Sequence, residues 1–162
     1  MSELTHARLL ECLSYEPETG DLLWRLGGAG RRKIGAVAGN IENGYRRISI
    51  DDKSYMAHRL VWFYAHGVWP REVDHKDGNR ANNRLDNLRE ATRSQNNANM
   101  RRPRDNTSGF KGVAWHPNGY YTAQIIVNKV KHYLGHFDDP AKGHAAYVEA
   151  AKRLNGEFAR GE

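Results

Sequence analysis

The sequence predicts an α+β protein assembled from small sheets with helices beside them. Three observations predict this class. Short β-branched and aromatic runs are joined by tight-turn dipeptides, Asn43-Gly44, Asn118-Gly119 and Asn128-Lys129. Helical spacing of apolar residues is confined to separate stretches, among them residues 57–66 (AHRLVWFYAH) and the alanine-rich segment after Pro140. Residues 101–108 (RRPRDNTS) have the composition of a linker. The expected organisation is an N-terminal small antiparallel sheet module (1–56), a central module (57–100), the basic linker (101–108) and a C-terminal three-stranded sheet plus helix (109–162).

Taken in order, residues 3–13 predict a short helix, with Leu4, Ala7 and Leu10 or Leu13 at helical spacing and Ser2 as its cap. Pro17 and Gly20 set a turn, and Asp21 to Leu26 reads as a strand. The stretch 27–33 (GGAGRRK) lacks the strand-to-helix setting and the terminal Lys-Ser/Thr of a phosphate loop, which excludes nucleotide binding there. It reads as a hairpin connection or a basic loop against DNA backbone. Residues 34–38, 45–50 and 54–57 are short strands, and in the second Arg46, Ile48 and Ile50 share a face. Residues 57–66 form a helix stopped by Gly67 and Pro70, with Leu60, Val61, Tyr64 and Ala65 on one face. His58 and His66 are eight residues apart, too far to chelate one ion, so His58 is expected to be structural or to contact phosphate.

Residues 71–74 read as a strand delivering His75, and 76–86 as a loop of turn-forming Gly, Asn and Asp. Residues 87–90 return as a strand, and Thr92 caps a helix over 93–100. Three strands follow (110–115, 120–127, 130–137), then a helix capped by Asp139 with Pro140 at its first position.

The formal charge is +6, and it is unevenly spread. Residues 76–104 hold eight bases (Lys76, Arg80, Arg84, Arg89, Arg93, Arg101, Arg102, Arg104) against three acids (Asp77, Asp86, Glu90), a local +5 that favours a polyanionic partner. Cys12 is the sole cysteine, which excludes an intrachain disulfide and a paired-cysteine zinc site. No apolar run approaches the roughly 20 residues that span a bilayer. The acidic, weakly apolar N-terminal stretch is unlike a secretory signal, so a cytosolic location is expected.

The centre of the chain, VDHKDGNRANNRLDNLREATRSQNNAN (73–99), carries the chemistry. Hydrolysing a phosphodiester requires an activated water, stabilised negative charge and help for the departing oxygen. His75 is suited to take the proton from water. Asp74 and Asn96 are hard oxygen donors suited to Mg²⁺ or Mn²⁺. Adjacent side chains on a strand point apart, so Asp74 and His75 can divide the work. Asn87 is placed to hold the imidazole tautomer through a hydrogen bond. Arg89 and Arg93 are candidates for nearby phosphates, and Arg101, Arg102 and Arg104 for tracking a phosphate backbone. Asn79, Asn82 and Asn83 read as turn formers.

HRLVW at 58–62, VDHKDGNRANNRLDNLR and the later SQNNAN resemble the HNH endonuclease family, in the branch common among phage homing endonucleases. The resemblance implies a ββα-metal (His-Me finger) nuclease core, with His75 as general base, Asp74 and Asn96 as ligands of one divalent ion, and Asn87 orienting the histidine. It also implies products with a 3′ hydroxyl and a 5′ phosphate. Asn96 stands where many members have histidine, which makes Mg²⁺ or Mn²⁺ the expected ion and no structural zinc. Residues 106–159, with FKGV, Trp115, YTAQI, YLGHF and the alanine-rich helix, resemble the ethylene-response-factor type DNA-binding domain of plants. That resemblance implies major-groove reading by an exposed sheet face offering Lys111, Trp115, Gln124, Lys131 and Tyr133. Double-stranded DNA is then the expected partner of a monomer or weak dimer that nicks one strand. A DNA-binding regulator with an inactive nuclease core and a non-specific defence nuclease are the alternatives.

Overall fold

The computed structural model describes residues 4–28, 32–103 and 105–161, which form two compact units, Met1–Glu90 and Ala91–Glu162. The Ser2 cap, part of the glycine-rich basic stretch (29–31) and Arg104 lie outside the described residues.

In the first unit the order is α1 (His6–Cys12), β1 (Leu13–Glu16), β2 (Asp21–Trp24), β3 (Asn40–Glu42), β4 (Tyr45–Ile50), β5 (Lys53–Met56), α2 (Ala57–His66), β6 (Val73–His75) and β7 (Leu88–Glu90), the last preceded by a 3-10 turn at Leu85–Asn87. Helix α1 starts where the Thr5 hydroxyl accepts the Arg8 N–H, and it ends before Leu13, which pairs with Trp24. The predicted helix therefore stops one residue early and gives way to a strand not expected there.

The strands β3-β4-β5 form one antiparallel sheet, and β1-β2 and β6-β7 are two-stranded hairpins. The strand expected at 34–38 reduces to one bridge, Val37 to Leu23, and Asn40–Glu42 pairs with β4 instead. Gly39 makes the change of direction at φ +80°, where a Cβ would lie 2.0 Å from the Arg47 carbonyl oxygen.

A single core joins these pieces. Leu9, Leu13, Leu22, Ile48, Ile50, Leu60 and Val61 are shielded from solvent, and Val73 and Leu88 of the β6-β7 hairpin belong to the same cluster. Each such aliphatic side chain contributes about 1.5–3 kcal/mol by leaving water. The modules expected at 1–56 and 57–100 thus share a core up to residue 90. Helix α2 closes on Gly67, whose N–H reaches the Phe63 carbonyl. Its buried face is Ala57, His58, Leu60, Val61 and Phe63, whereas Ala65 is exposed. Trp69 stacks on Phe63 at 4.3 Å, which buries the side of the helix next to the expected one.

The second unit contains α3 (Arg93–Asn99), β8 (Val113–His116), β9 (Tyr120–Val127), β10 (Val130–Phe137) and α4 (Pro140–Asn155). Thr92 and Gln95 form a capping box at the start of α3. The sheet order is β10-β9-β8, and α4 lies on it through Tyr147, Ala150 and Ala151 around Ile125. The boundary between units falls before α3, not in the linker. Within the second unit the Lys111 ammonium donates to the Ala98, Met100 and Arg160 carbonyls at 2.8, 2.5 and 3.0 Å, and Ser94 accepts the Asn128 N–H. Burial pushes the Lys111 pKa down to about 8, which leaves the ammonium charged at pH 7 with three donors for three acceptors. Among the described residues no helix is long and apolar enough to cross a membrane.

Candidate active site

Strand β6 is three residues long and buried throughout. Its register sets Asp74 opposite Arg89 and His75 opposite Leu88. Cross-strand partners share a face and neighbours alternate. Asp74 and Arg89 therefore lie on one face, and His75 on the other with the core residues Val73 and Leu88. The division of faces expected from the sequence is present.

The loop after His75 is built around Asp77. Its carboxylate accepts the Asn79 N–H, the Asn82 amide and the Asn87 amide at 2.7, 2.8 and 3.0 Å. Burial opposes the charge, but these hydrogen bonds prevail and hold the Asp77 pKa below its usual value. Asn87 also accepts the Asp77 N–H and donates to the Asn82 carbonyl. The sequence places Asn87 against the imidazole. In the structure its amide ties the two ends of the loop together, and the ring's partner is Asn83.

Asn83, 2% exposed, has its Oδ1 at 3.2 Å from His75 Nε2. An amide oxygen only accepts, so Nε2 carries the proton and the Nδ1 lone pair is the basic one. The first hairpin braces Asn83 from outside. A Cβ on Gly20 (φ +79°) would sit 2.6 Å from the Asn83 carbonyl carbon and 2.4 Å from the Arg84 nitrogen. The Tyr15 hydroxyl accepts the Leu85 N–H, and Arg84 donates to the Glu18 carbonyl. Asn83 was read as one turn former among several. Its signal lies in contacts some 60 residues away in sequence, which a local reading does not contain.

Two further rings meet His75. His58 stands edge-on at 4.9 Å between centroids and 68° between planes, and Tyr45 lies 6.2 Å from His75 and 5.6 Å from His58. The Arg80 guanidinium sits 4.8 Å over Tyr45. Burial drives the His58 pKa down to about 3 and also lowers that of His75, where the Asn83 bond, Asp77 and Asp74 oppose the shift. Both rings are then neutral at pH 7, the form a proton acceptor needs.

This burial has a consequence for stability. The unfolded chain binds a proton on each histidine below about pH 6.5, and the folded unit resists it. Stability of the first unit is expected to be complete above pH 6.5 and to fall as pH drops toward 3. The slope approaches about 1.4 kcal/mol per pH unit for His58 alone. Urea melts from pH 7 to 4 check this, and a flat profile in the wild type that matches His58→Phe would refute it.

The Asp74 carboxylate, 3% exposed, accepts from Arg89 Nε at 2.9 Å and Nη2 at 2.8 Å, both on Oδ2. Arg89 is therefore turned to a buried carboxylate rather than to a phosphate. Among the described residues no group of three or more His, Cys, Asp and Glu could hold a metal ion. A buried carboxylate already facing a cation nevertheless fits a hard divalent ion, with the guanidinium as its competitor. Asn96 lies half-buried on α3 in the second unit, and Arg93, Arg101 and Arg102 are exposed.

The C-terminal candidates divide. Tyr133 pairs with Gln124 and Lys131 with Ile126, so Gln124, Lys131 and Tyr133 share one face. Trp115 pairs with Tyr121 and shares a face with the buried Val113 two residues before it, which places it on the α4 side, although it is 52% exposed. Lys111 precedes β8 and is buried against carbonyls, so it is not on the sheet face.

The HNH endonuclease family matches residues 55–98, the stretch that holds α2, the β6-β7 hairpin and most of α3. Protein 3.8 of Escherichia phage T7 is 34% identical over 110 residues, covering 67% of this chain and 91% of that protein. A protein of Acanthamoeba polyphaga mimivirus named "Uncharacterized HNH endonuclease L560" is 31% identical over 115 residues, covering 69% of this chain and 59% of its own length. The chain thus carries an HNH endonuclease domain and has viral relatives. No solved structure matches it.

Proposed function

We propose that the chain is a divalent-metal-dependent DNA endonuclease of the homing type that nicks one strand of duplex DNA at a preferred site. The observation that carries this reading is the His75 imidazole, buried and fixed through Nε2 to Asn83, on the strand whose opposite face carries the buried Asp74 carboxylate. His75 Nδ1 takes the proton from the attacking water, and Asn83 and the loop tied by Asn87 hold the ring. Asp74 and Asn96 are the residues that would hold Mg²⁺ or Mn²⁺, which when bound neutralises charge on the phosphate and the departing oxygen. Arg93, Arg101 and Arg102 are exposed cations suited to phosphates, and Arg104 completes that basic run in sequence.

The C-terminal unit, as an ethylene-response-factor-like domain, selects the site through Gln124, Lys131 and Tyr133. One catalytic histidine per chain fits a monomer or weak dimer that cuts one strand per encounter in the cytosol of a host cell. Nicking of supercoiled plasmid in Mg²⁺, and its loss in EDTA, tests the reading. The Arg89 guanidinium on Asp74 favours a second reading, a DNA-binding regulator with an inactive core. Binding without metal-dependent cleavage of any substrate would establish that reading. Cutting of arbitrary DNA at physiological salt would instead indicate a non-specific defence nuclease.

A further inference from the structure

We propose that His58 is a positioning residue for the His75 base. Its ring edge and the Tyr45 ring form a wall that keeps the His75 imidazole turned so that Nε2 meets Asn83. The proposal rests on the nuclease reading of His75.

The wall comes from elements with no other part in the site. His58 stands in the first turn of α2, directly after Ala57, which is 1% exposed and anchors the junction with β5. Tyr45 opens β4, the strand paired to β5. Two pieces of the core sheet and its helix are therefore converted into one surface against His75. Arg80 lies on the other element, the loop after His75. Its guanidinium covers Tyr45, and its Nη1 donates to the Asn43 carbonyl at 3.4 Å. The loop is thereby closed onto the turn that begins β4.

An imidazole on Cβ has two torsions, and the 3.2 Å bond to Asn83 engages one edge of the ring. That bond alone permits rotation about its own line. An edge-on ring at 68° blocks the rotation by contact, and the geometry suits the positive edge of one ring against the face of another. His58 is 9% exposed, so it also excludes water from that side of the base.

The test uses the full chain, with plasmid nicking in Mg²⁺ for kcat and KM and fluorescence anisotropy for DNA binding. His58→Ala is expected to lower kcat by about a hundredfold, the scale set by small misplacements of a reacting group, with KM and DNA affinity changed less than about twofold. His58→Phe keeps a planar edge in place and should recover to within about tenfold of the wild type. His58→Gln keeps polarity without a ring and should not recover.

The second readout does not depend on cleavage. Long-range ¹H–¹⁵N NMR of the His75 ring should show one tautomer, protonated on Nε2, in the wild type and in His58→Phe, and a mixture in His58→Ala. Wild-type kcat in a folded His58→Ala would overturn the proposal, as would rescue by Gln equal to that by Phe. If His58→Ala fails to fold, the Phe and Gln comparison decides. If instead no variant and no wild type cuts DNA, the nuclease reading fails, and the His75 tautomer still reports whether His58 positions the ring.

Discussion

His75→Ala is expected to abolish cleavage, with a loss of at least about 10²–10⁴-fold, the contribution of a positioned general base. DNA binding should stay within a few-fold of the wild type. The expectation is sharp because the imidazole is separable from its surroundings. His75 occupies the face of β6 opposite Asp74, so its removal leaves the Asp74–Arg89 pair in place. The exposed arginines at 93, 101 and 102 are untouched. What the substitution does damage is Asn83, whose Oδ1 loses the ring at 3.2 Å and costs about 1–3 kcal/mol as an abandoned buried acceptor. A thermal melt of the variant separates that loss from the chemical one. Cleavage by folded His75→Ala at the wild-type rate would remove His75 as the base. Asn83→Ala is a useful companion: it should cut slowly, since the base remains and only its tether is gone.

Much of the architecture was legible because local chemistry dictates it. The helix at 57–66 followed from apolar spacing and from Gly67, and the sheet of the second unit from Asn118-Gly119 and Asn128-Lys129. Asp74 and His75 were legible as a pair whose side chains part, because alternation along a strand is a property of the backbone. Asn83 was not, since three asparagines in NRANN are equivalent as turn formers. Only the inward pressure of Gly20 and the Tyr15 hydroxyl on residues 83–85 singles it out. His58 was set aside because it could not share an ion with His66, and its actual neighbour, His75, comes from a different element.

Charge indicated the class of partner but not which bases are free to meet it. Arg84 pairs with Asp86, Lys76 donates to the Asp86 carbonyl, and Arg80 covers Tyr45. Arg89 and Lys111 are turned inward. Of these bases Arg89 is mostly buried, whereas Lys76, Arg80 and Arg84 stay exposed while also tying down the loop that holds the histidine.

Arg89→Ala should produce the largest loss of stability in the first unit. The Arg89 and Asp74 side chains are 11% and 4% exposed, and two N–H donors meet one carboxylate oxygen. Removing one partner of a buried pair costs about 3–5 kcal/mol, because the other charge is left in a medium that solvates it poorly. Arg89→Ala/Asp74→Asn, which removes both charges, should recover part of that loss. The same variant tests the metal. With the guanidinium gone, the Asp74 carboxylate has lost its competitor for a cation, so Mg²⁺ should raise the melting temperature of Arg89→Ala more than that of the wild type, as ligand linkage requires. The added stabilisation should vanish in the double variant. Equal Mg²⁺ shifts in all three proteins would exclude Asp74 as a ligand, and an Arg89→Ala melt like the wild type would show that the pair does not hold the hairpin. Cleavage then separates two roles for Arg89. A residue that only balances Asp74 should cut normally in Arg89→Ala once Mg²⁺ is saturating, whereas one that also holds phosphate should leave KM raised at every metal concentration.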